Sequence, residues 1–381
     1  MIKNQPDFKP VYIFGAGASK FLGAPLLKDF LSKSKDKLLS KDLVKHYGAK
    51  STLSEKLDRD YNAIFSWIRE LYKTREYLSA DFDNLENIFS LIDMKLQLIK
   101  KDGLNIDNSN VYNLRESLFS IINSTLELSI DFTSTEFGNY STAIDGLSLN
   151  KHASFITFNY DIAIEKALHN GQYKIDYCHP IINNISNNIP SIRDDIKRKV
   201  KLLKLHGSKN WVYCLKCNQL TIVNDESSYY LDFSPHWHVQ EKYIGSECEK
   251  TKPLNLIMPP TWNKSIYGDV LQNIWNESIL ELSLATHIIM IGYSFPKTDV
   301  YFEHLLTLGL ENNETLKEIV VINPDESINE DIKNMFDKLF FNKRVKIINN
   351  KFENIEFFFR QIVDENSLET TINDSLLHQG E

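Results

Sequence analysis

Residues 11–19 are VYIFGAGAS, an apolar tetrapeptide followed by two glycines that alternate with alanine. The run Val11–Phe14 has no charged residue, which is typical of a strand that a sheet buries on both faces. A glycine pair directly after such a strand lets the backbone turn sharply and approach a ligand, and a following helix would point its N–H groups at a phosphate. The alternative is a tight strand-to-helix turn without a ligand. The third glycine of the dehydrogenase fingerprint is missing, because Lys20 stands there.

Four further apolar runs have the same character, and each is followed by polar residues. They are Phe155–Phe158, His287–Ile291, Ile319–Ile322 and Val345–Ile348. The alternation of such runs with helical spacing predicts an α/β fold, with a Rossmann-like parallel sheet and helices on both faces. Ligands of these sheets bind outside the carboxyl ends of the strands, so the residues after each run are candidate site residues.

The segment 30–150 contains no comparable strand. Apolar residues recur there at three- and four-residue spacing, as in Leu85–Ile92, which predicts a large helical insertion within a domain spanning residues 1–350. Residues 351–381 are predicted to form a C-terminal helix and a polar tail. The aromatic cluster in Asn354–Val363 favours either a helix that closes the core or a surface that docks a partner or a second subunit.

Composition narrows the class of protein. The 381 residues carry 43 Lys plus Arg against 51 Asp plus Glu, a net charge of −8, which argues against broad binding to a phosphate backbone. No apolar run is long enough to span a membrane, and no secretory signal follows the start. We therefore expect a cytoplasmic protein in which the four cysteines are reduced.

Polar residues follow the predicted strands. Asn159 and Asp161 come after the second run, where they suit either a ligand or the cap of the next helix. His206, beside a glycine, suits general-base chemistry near neutral pH or a hydrogen-bonded position in the core. Ser294 and Asn323 follow two later strands, where they suit ribose hydroxyls or turns. All these loops are expected at one edge of one sheet.

Five motifs in fixed order resemble the sirtuin NAD-binding family in its bacterial sirtuin-like form, the branch of antiphage-defence NADases. They are GAGAS at 15–19, TFNYD at 157–161, LHGS at 205–208, GYSF at 292–295 and INP at 322–324. The resemblance implies that NAD is used as the substrate. The residues that it places at the pyrophosphate are Gly15, Ala16, Gly17 and Ser19. It makes Asn159, Asp161 and His206 catalytic, and it puts Ser294 and Asn323 near the adenosine ribose.

The chain departs from the family pattern in two places. Gly23–Leu27 stands where deacylases have a segment ending in Asp-Phe-Arg. The structural zinc ribbon needs two Cys-x-x-Cys pairs, and here there is Cys214 with Cys217. Candidates for the remaining zinc ligands are His236, His238 and Cys248. The alternative is a degenerate ribbon with two reduced thiols, so zinc stays open. Both departures argue against a lysine deacylase.

The resemblance therefore implies an NAD⁺ glycohydrolase that depletes NAD in antiviral defence. His206 would polarise or deprotonate a ribose hydroxyl, Asn159 would position water, and Asp161 would orient the ribose or the loop of Asn159. The alternatives are an NAD-dependent protein deacylase and a non-catalytic NAD or ADP-ribose sensor. No sensor domain is recognisable, so we expect the trigger to come from a partner or from self-assembly. Within the resemblance, the lack of an added nucleic-acid-linked domain favours a HerA-type ATPase partner over a short Argonaute. We also expect a homo-oligomer without direct nucleic-acid or membrane binding.

Overall fold

The computed structural model describes residues 8–40, 52–72, 84–102, 108–179, 197–214, 219–222, 254–258, 268–295, 300–338 and 345–350. Its strands are β1 (Pro10–Phe14), β2 (Ser154–Thr157), β3 (Tyr173–Asp176), β4 (Lys197–Lys204), β5 (Gly207–Cys214), β6 (Gln219–Ile222), β7 (Leu254–Ile257), β8 (His287–Ile291), β9 (Glu318–Ile322) and β10 (Val345–Ile348). Its α-helices are α1 (Phe30–Leu39), α2 (Thr52–Tyr72), α3 (Leu85–Asp102), α4 (Asn108–Ser129), α5 (Thr135–Ser148), α6 (Ala163–Asn170), α7 (Gly268–Ser283), α8 (Val300–Leu310) and α9 (Asn329–Lys338).

Seven strands form one parallel sheet in the order β10-β9-β8-β1-β2-β4-β3. The five predicted strands are all in this sheet, so the predicted Rossmann-like α/β fold is confirmed. The chain moves from β1 to β2 on one side and reaches β8, β9 and β10 on the other. Because crossovers between parallel strands are right-handed, this reversal puts α5 and α6 on one face and α8 and α9 on the opposite face.

The register fixes which residues meet at the carboxyl edge of the sheet. Phe14 pairs with Thr157 on one side and with Ile291 on the other. The residues that follow these three strands are therefore neighbours, and they lie at the reversal of strand order between β1 and β8. In open α/β sheets this crevice is where ligands bind.

The helices between β1 and β2 divide into two groups. Helices α1–α4, hereafter the helical cluster, bury an apolar core of their own that includes Tyr61, Phe89 and Phe119. Helix α5 instead buries residues such as Tyr140 and Ile144 in the core of the sheet. The helical character expected for residues 30–150 is thus present in the described parts, although α5 packs with the sheet. None of the helices in the described ranges is long and apolar enough to cross a membrane.

Three features differ from the sequence-based expectations. Strands β3 and β4 extend the sheet beyond β2, and β6-β5-β7 form a small antiparallel sheet. Neither β3 nor β4 is a continuous apolar run, because lysines alternate with apolar residues in them. The prediction of an α-helix directly after the glycines is wrong, because the chain there forms single 3₁₀ turns at Ala16–Ala18 and Lys20–Leu22. The C-terminal segment 351–381 lies outside the described residues.

Candidate functional site

Residues 15–19, hereafter the glycine loop, pack against the residue that follows β8. The Gly17 N–H donates to the carbonyl of Gly292 (2.8 Å), and Gly292 has a left-handed backbone with φ of +62°. A Cβ on Gly17 would lie 2.7 Å from the Gly292 oxygen, and one on Gly292 would lie 2.3 Å from the nitrogen of Ala18. Close backbone contact between β1 and β8 therefore accounts for glycine at both positions.

Asn159 joins the end of β2 to the glycine loop. Its Nδ2 donates to the carbonyl of Gly15 (3.0 Å) and to the hydroxyl of Ser19 (3.1 Å). The carbonyl of Gly15 can only accept, so the side-chain amide must present its nitrogen to the loop. The backbone N–H of Asn159 donates to Thr157 Oγ1 (3.1 Å), and the side chain is 8% exposed. This leaves Oδ1 as the edge of Asn159 that is available to a ligand.

His206 follows β4 and lies where the parallel sheet meets the small antiparallel sheet. It is buried, its ring packs edge-on against Phe158 with the centroids 5.2 Å apart, and its carbonyl accepts from the Met258 N–H (2.9 Å). Gly207 has φ of +75°, and a Cβ there would lie 2.1 Å from the Leu256 oxygen. The glycine after the histidine therefore turns the chain directly into β5.

Asp161 makes a local hydrogen bond at the start of a helix. Its Oδ1 accepts from the backbone N–H of Ala163 (2.9 Å), the first residue of α6, whose N-cap position is Ile162. Its carbonyl accepts from Lys204 Nζ (2.6 Å), and this fully buried ammonium also pairs with Glu165 (2.6 Å). Burial raises the pKa of Glu165, while the charge of Lys204 opposes the shift. The ion pair between Lys204 and Glu165 therefore holds the backbone at Asp161 in place.

Tyr140 of α5 extends this polar group to the glycine loop. Its hydroxyl hydrogen-bonds with Ser19, and burial, together with the charges of Asp161 and Glu165, raises the pKa of Tyr140 well above its usual value. The phenol is therefore protonated at any physiological pH. Ser19, which is 1% exposed, is held by both Tyr140 and Asn159.

A cleft opens at this edge of the sheet. Of the sequence-predicted site residues, those that line it are Ala16, Asn159, Asp161, His206 and Ser294. Those that do not line it are Gly15, Gly17, Ser19 and Asn323. The structure gives Asn323 a different contact set, since its Nδ2 donates to the Tyr293 carbonyl (2.9 Å) and its Oδ1 accepts from the Asp325 N–H (3.0 Å).

The opposite wall comes from residues that the sequence did not single out. It is formed mainly by apolar side chains, and its members are Ala24, Pro25, Leu27, Phe30, Glu86 and Leu126. Glu86, in the first turn of α3, is 4% exposed. A signal did exist in the sequence, because Glu86 precedes the buried Phe89 by three residues and so lies on the apolar stripe of its helix.

The zinc ligand candidates fall largely outside the described ranges. The backbone of Cys214 ends β5, whereas Cys217, His236, His238 and Cys248 are not among the described residues. Within the part of the chain that the structure describes, no group of three or more His, Cys, Asp or Glu side chains could hold a metal ion.

Comparisons with known proteins give one clear family. A family model described as a SIR2-like domain matches residues 153–348. No curated protein sequence matches the chain. Among solved structures, one described as the structural basis for the mechanism and regulation of Sir2 enzymes is 14% identical over 93% of this chain and 92% of that chain, with a TM-score of 0.42. One on sirtuin substrate affinity is 13% identical over 94% of each chain, with a TM-score of 0.38. A Sir2 structure in complex with an inhibitor, 2′-O-acetyl-ADP-ribose and a deacetylated peptide is 15% identical over 94% of each chain, with a TM-score of 0.33.

Proposed function

The chain belongs to the family of SIR2-like domains, whose model covers more than half of it, and from this membership we propose that it is an NAD⁺ glycohydrolase. The observation that carries the proposal is that Asn159 and His206, which follow different strands, line one cleft beside Ala16 of the glycine loop. The reaction converts NAD⁺ and water into nicotinamide, ADP-ribose and a proton. The bond that breaks joins nicotinamide to ribose, and the bond that forms joins the water oxygen to C1′.

The hydrogen bonds of Asn159 support a role in positioning the water. Both protons of its amide are used on the glycine loop, so its Oδ1 is the atom that accepts from the attacking water. This arrangement also makes Asn159 part of the loop that would hold the pyrophosphate. Substitution of Asn159 is therefore expected to weaken both the binding of NAD⁺ and its hydrolysis.

His206 is assigned the proton transfer. Its buried ring lies at the cleft, where it can polarise a ribose hydroxyl or remove its proton as charge develops at C1′. Asp161 is assigned an orienting role, because its side chain accepts from the Ala163 N–H and thereby ties the loop that carries Asn159 to the start of α6. Among the residues proposed to bind the cofactor, Ala16 and Ser294 line the cleft, so we assign them direct contacts with NAD.

The other proposed cofactor residues would act one layer behind the ligand. Gly15 and Ser19 accept the hydrogen bonds of Asn159, and Gly17 packs on Gly292. Asn323 supports the loop that carries Ser294 through its bond to the Tyr293 carbonyl. We therefore assign these four residues to shaping the loops that hold NAD.

Release of nicotinamide from NAD⁺ by purified protein tests the proposal. His206→Ala should lower the rate by about 10²–10⁴-fold, the usual contribution of a positioned base. His169→Ala is the matched control, because His169 is exposed in the last turn of α6 and should leave the rate unchanged. Near-normal release by His206→Ala would refute the assignment.

Two other outcomes separate the alternative functions. If nicotinamide appears only when an acylated peptide is added, the protein is a deacylase that transfers the acyl group to ADP-ribose. If NAD⁺ raises the melting temperature without any release of nicotinamide, including after co-expression with a partner, the protein is a sensor of the dinucleotide.

We further infer that the hydrolase is an antiviral effector that is silent until a partner or self-assembly activates it, because unregulated loss of NAD⁺ would kill the host. The resemblance in the sequence favours a HerA-type ATPase as the partner, with a short Argonaute as the alternative, and a homo-oligomeric assembly. Co-purification with each candidate, followed by measurement of nicotinamide release, tests this inference. Full activity of the isolated chain would contradict it.

A further inference from the structure

Glu86 is a charged side chain on a wall of the cleft that is otherwise apolar. Its neighbours along that wall include Leu27, Phe30 and Leu126. Its position is fixed by its backbone, because its N–H donates to Asn84 Oδ1 (2.8 Å) and its carbonyl accepts from Ser90 Oγ (2.6 Å). The side chain is 4% exposed, so the carboxylate is largely removed from bulk water.

The charges around the cleft indicate which part of a dinucleotide belongs beside Glu86. No Lys or Arg is found among the described residues that line the cleft, whereas Glu86 and Asp161 are both acidic. An anionic pyrophosphate is therefore disfavoured beside Glu86 and belongs with Ala16 of the glycine loop. The oxidised nicotinamide ring carries a positive charge, and a carboxylate in a low-dielectric wall attracts a cation far more strongly than it would in water.

We propose that the Glu86 carboxylate attracts the positively charged nicotinamide ring and so selects oxidised NAD⁺ over NADH, whose ring is neutral. The inference rests on the proposed function only in that the ligand is NAD. It concerns which redox form is bound, and this can be measured without any turnover. It also gives the helical cluster a role in specificity, because Glu86 is supplied by α3.

Calorimetric titration of the full chain tests the proposal with three ligands. Carba-NAD⁺ keeps the cationic ring but replaces the ribose oxygen with carbon, so its bond to nicotinamide resists hydrolysis. NADH has the same size with a neutral ring, and ADP-ribose lacks the ring. Wild type should bind carba-NAD⁺ about tenfold more tightly than NADH, a ratio equivalent to about 1.4 kcal/mol. Glu86→Gln should reduce the ratio to about one while leaving the affinity for ADP-ribose unchanged.

Two variants keep the test decisive. Glu86→Asp retains the charge and should retain part of the preference for the cation. Asp93→Asn alters another buried acid of α3, which pairs with Arg115 (3.1 Å), and should leave the ratio as in wild type. An unchanged ratio in Glu86→Gln, or an equal loss of affinity for all three ligands, would overturn the proposal. If wild type prefers carba-NAD⁺ but releases no nicotinamide from NAD⁺, charge recognition stands and the hydrolase assignment fails.

Discussion

The ion pair beneath the cleft gives a sharp prediction about stability. Lys204 is fully buried, and its ammonium donates to Glu165 Oε1 and to the carbonyl of Asp161, each at 2.6 Å. The other carboxylate oxygen of Glu165 is buried and accepts no hydrogen bond from the described residues. Lys204→Met keeps most of the side-chain volume but leaves Glu165 buried without its counter-charge. The change should lower the free energy of unfolding by about 3–5 kcal/mol, the usual cost of breaking a buried pair from one side.

The pH dependence of the variant provides an independent check. Burial raises the pKa of Glu165, and removal of Lys204 takes away the charge that opposes this shift. An acid whose pKa is higher in the folded protein than in the unfolded chain stabilises the fold at low pH and loses that contribution as pH rises. Lys204→Met should therefore recover stability as the pH is lowered from neutrality toward the ordinary pKa of a glutamate, and it should do so more steeply than wild type.

Urea denaturation followed by circular dichroism measures both effects. The double variant Lys204→Met with Glu165→Leu removes both charges together, so it should be at least about 2 kcal/mol more stable than Lys204→Met alone. A loss below about 1 kcal/mol in the single variant, or a double variant that is no more stable than the single one, would refute the reasoning.

Three further variants test packing and titration in and around the sheet. Gly292→Ala forces a Cβ to 2.3 Å from the Ala18 nitrogen at φ of +62°, so it should cost about 1–2 kcal/mol of stability and weaken NAD⁺ binding about tenfold. Gly309→Ala in α8, whose Cβ would lie 2.5 Å from Leu282 Cβ in α7, should lower the melting temperature while calorimetry finds NAD⁺ affinity unchanged. Equal affinities in the two variants would contradict the role of the glycine loop. Burial, with Lys317 and Lys346 nearby, lowers the pKa of His287 from 6.5 to about 4. The unfolded chain then binds the proton first, and the free energy of unfolding should fall by at most about 3 kcal/mol between pH 6.5 and 4, a loss that is absent in His287→Asn.

The central strands could be predicted from the sequence because they are buried on both faces. β1, β8 and β9 have almost no polar residue, and their apolar runs are therefore continuous. β3 and β4 lie toward the edge of the sheet, where one face of each strand is more exposed, and lysines alternate with apolar residues there. From the sequence alone, this pattern cannot be distinguished from that of a loop or a charged helix, because the strand that pairs with it is not known.

The residues of the candidate site could be predicted from the sequence only in part. Asn159 follows a predicted strand, so the rule that ligands bind at the carboxyl edge was enough to place it at the site. His206 follows β4, which the sequence did not predict, so the LHGS motif was the signal that pointed to it. The partners of Asn159 were not predictable, because its bonds to Gly15 and Ser19 depend on the pairing of β1 with β2. The position of Asn323 behind the cleft also depends on the tertiary packing of its loop against Tyr293.

The two walls of the cleft differ in whether the match to the SIR2-like family model includes their residues. The matched range, residues 153–348, supplies Asn159, His206 and Ser294. Ala16, Phe30 and Glu86 precede that range, although they line the same space. A helical segment between β1 and β2 can be altered without disturbing the register that joins those strands, so substitutions on this wall should leave the opposite wall in place. We therefore expect substitutions in the helical cluster to change ligand selectivity while the proposed site residues Asn159 and His206 stay in place.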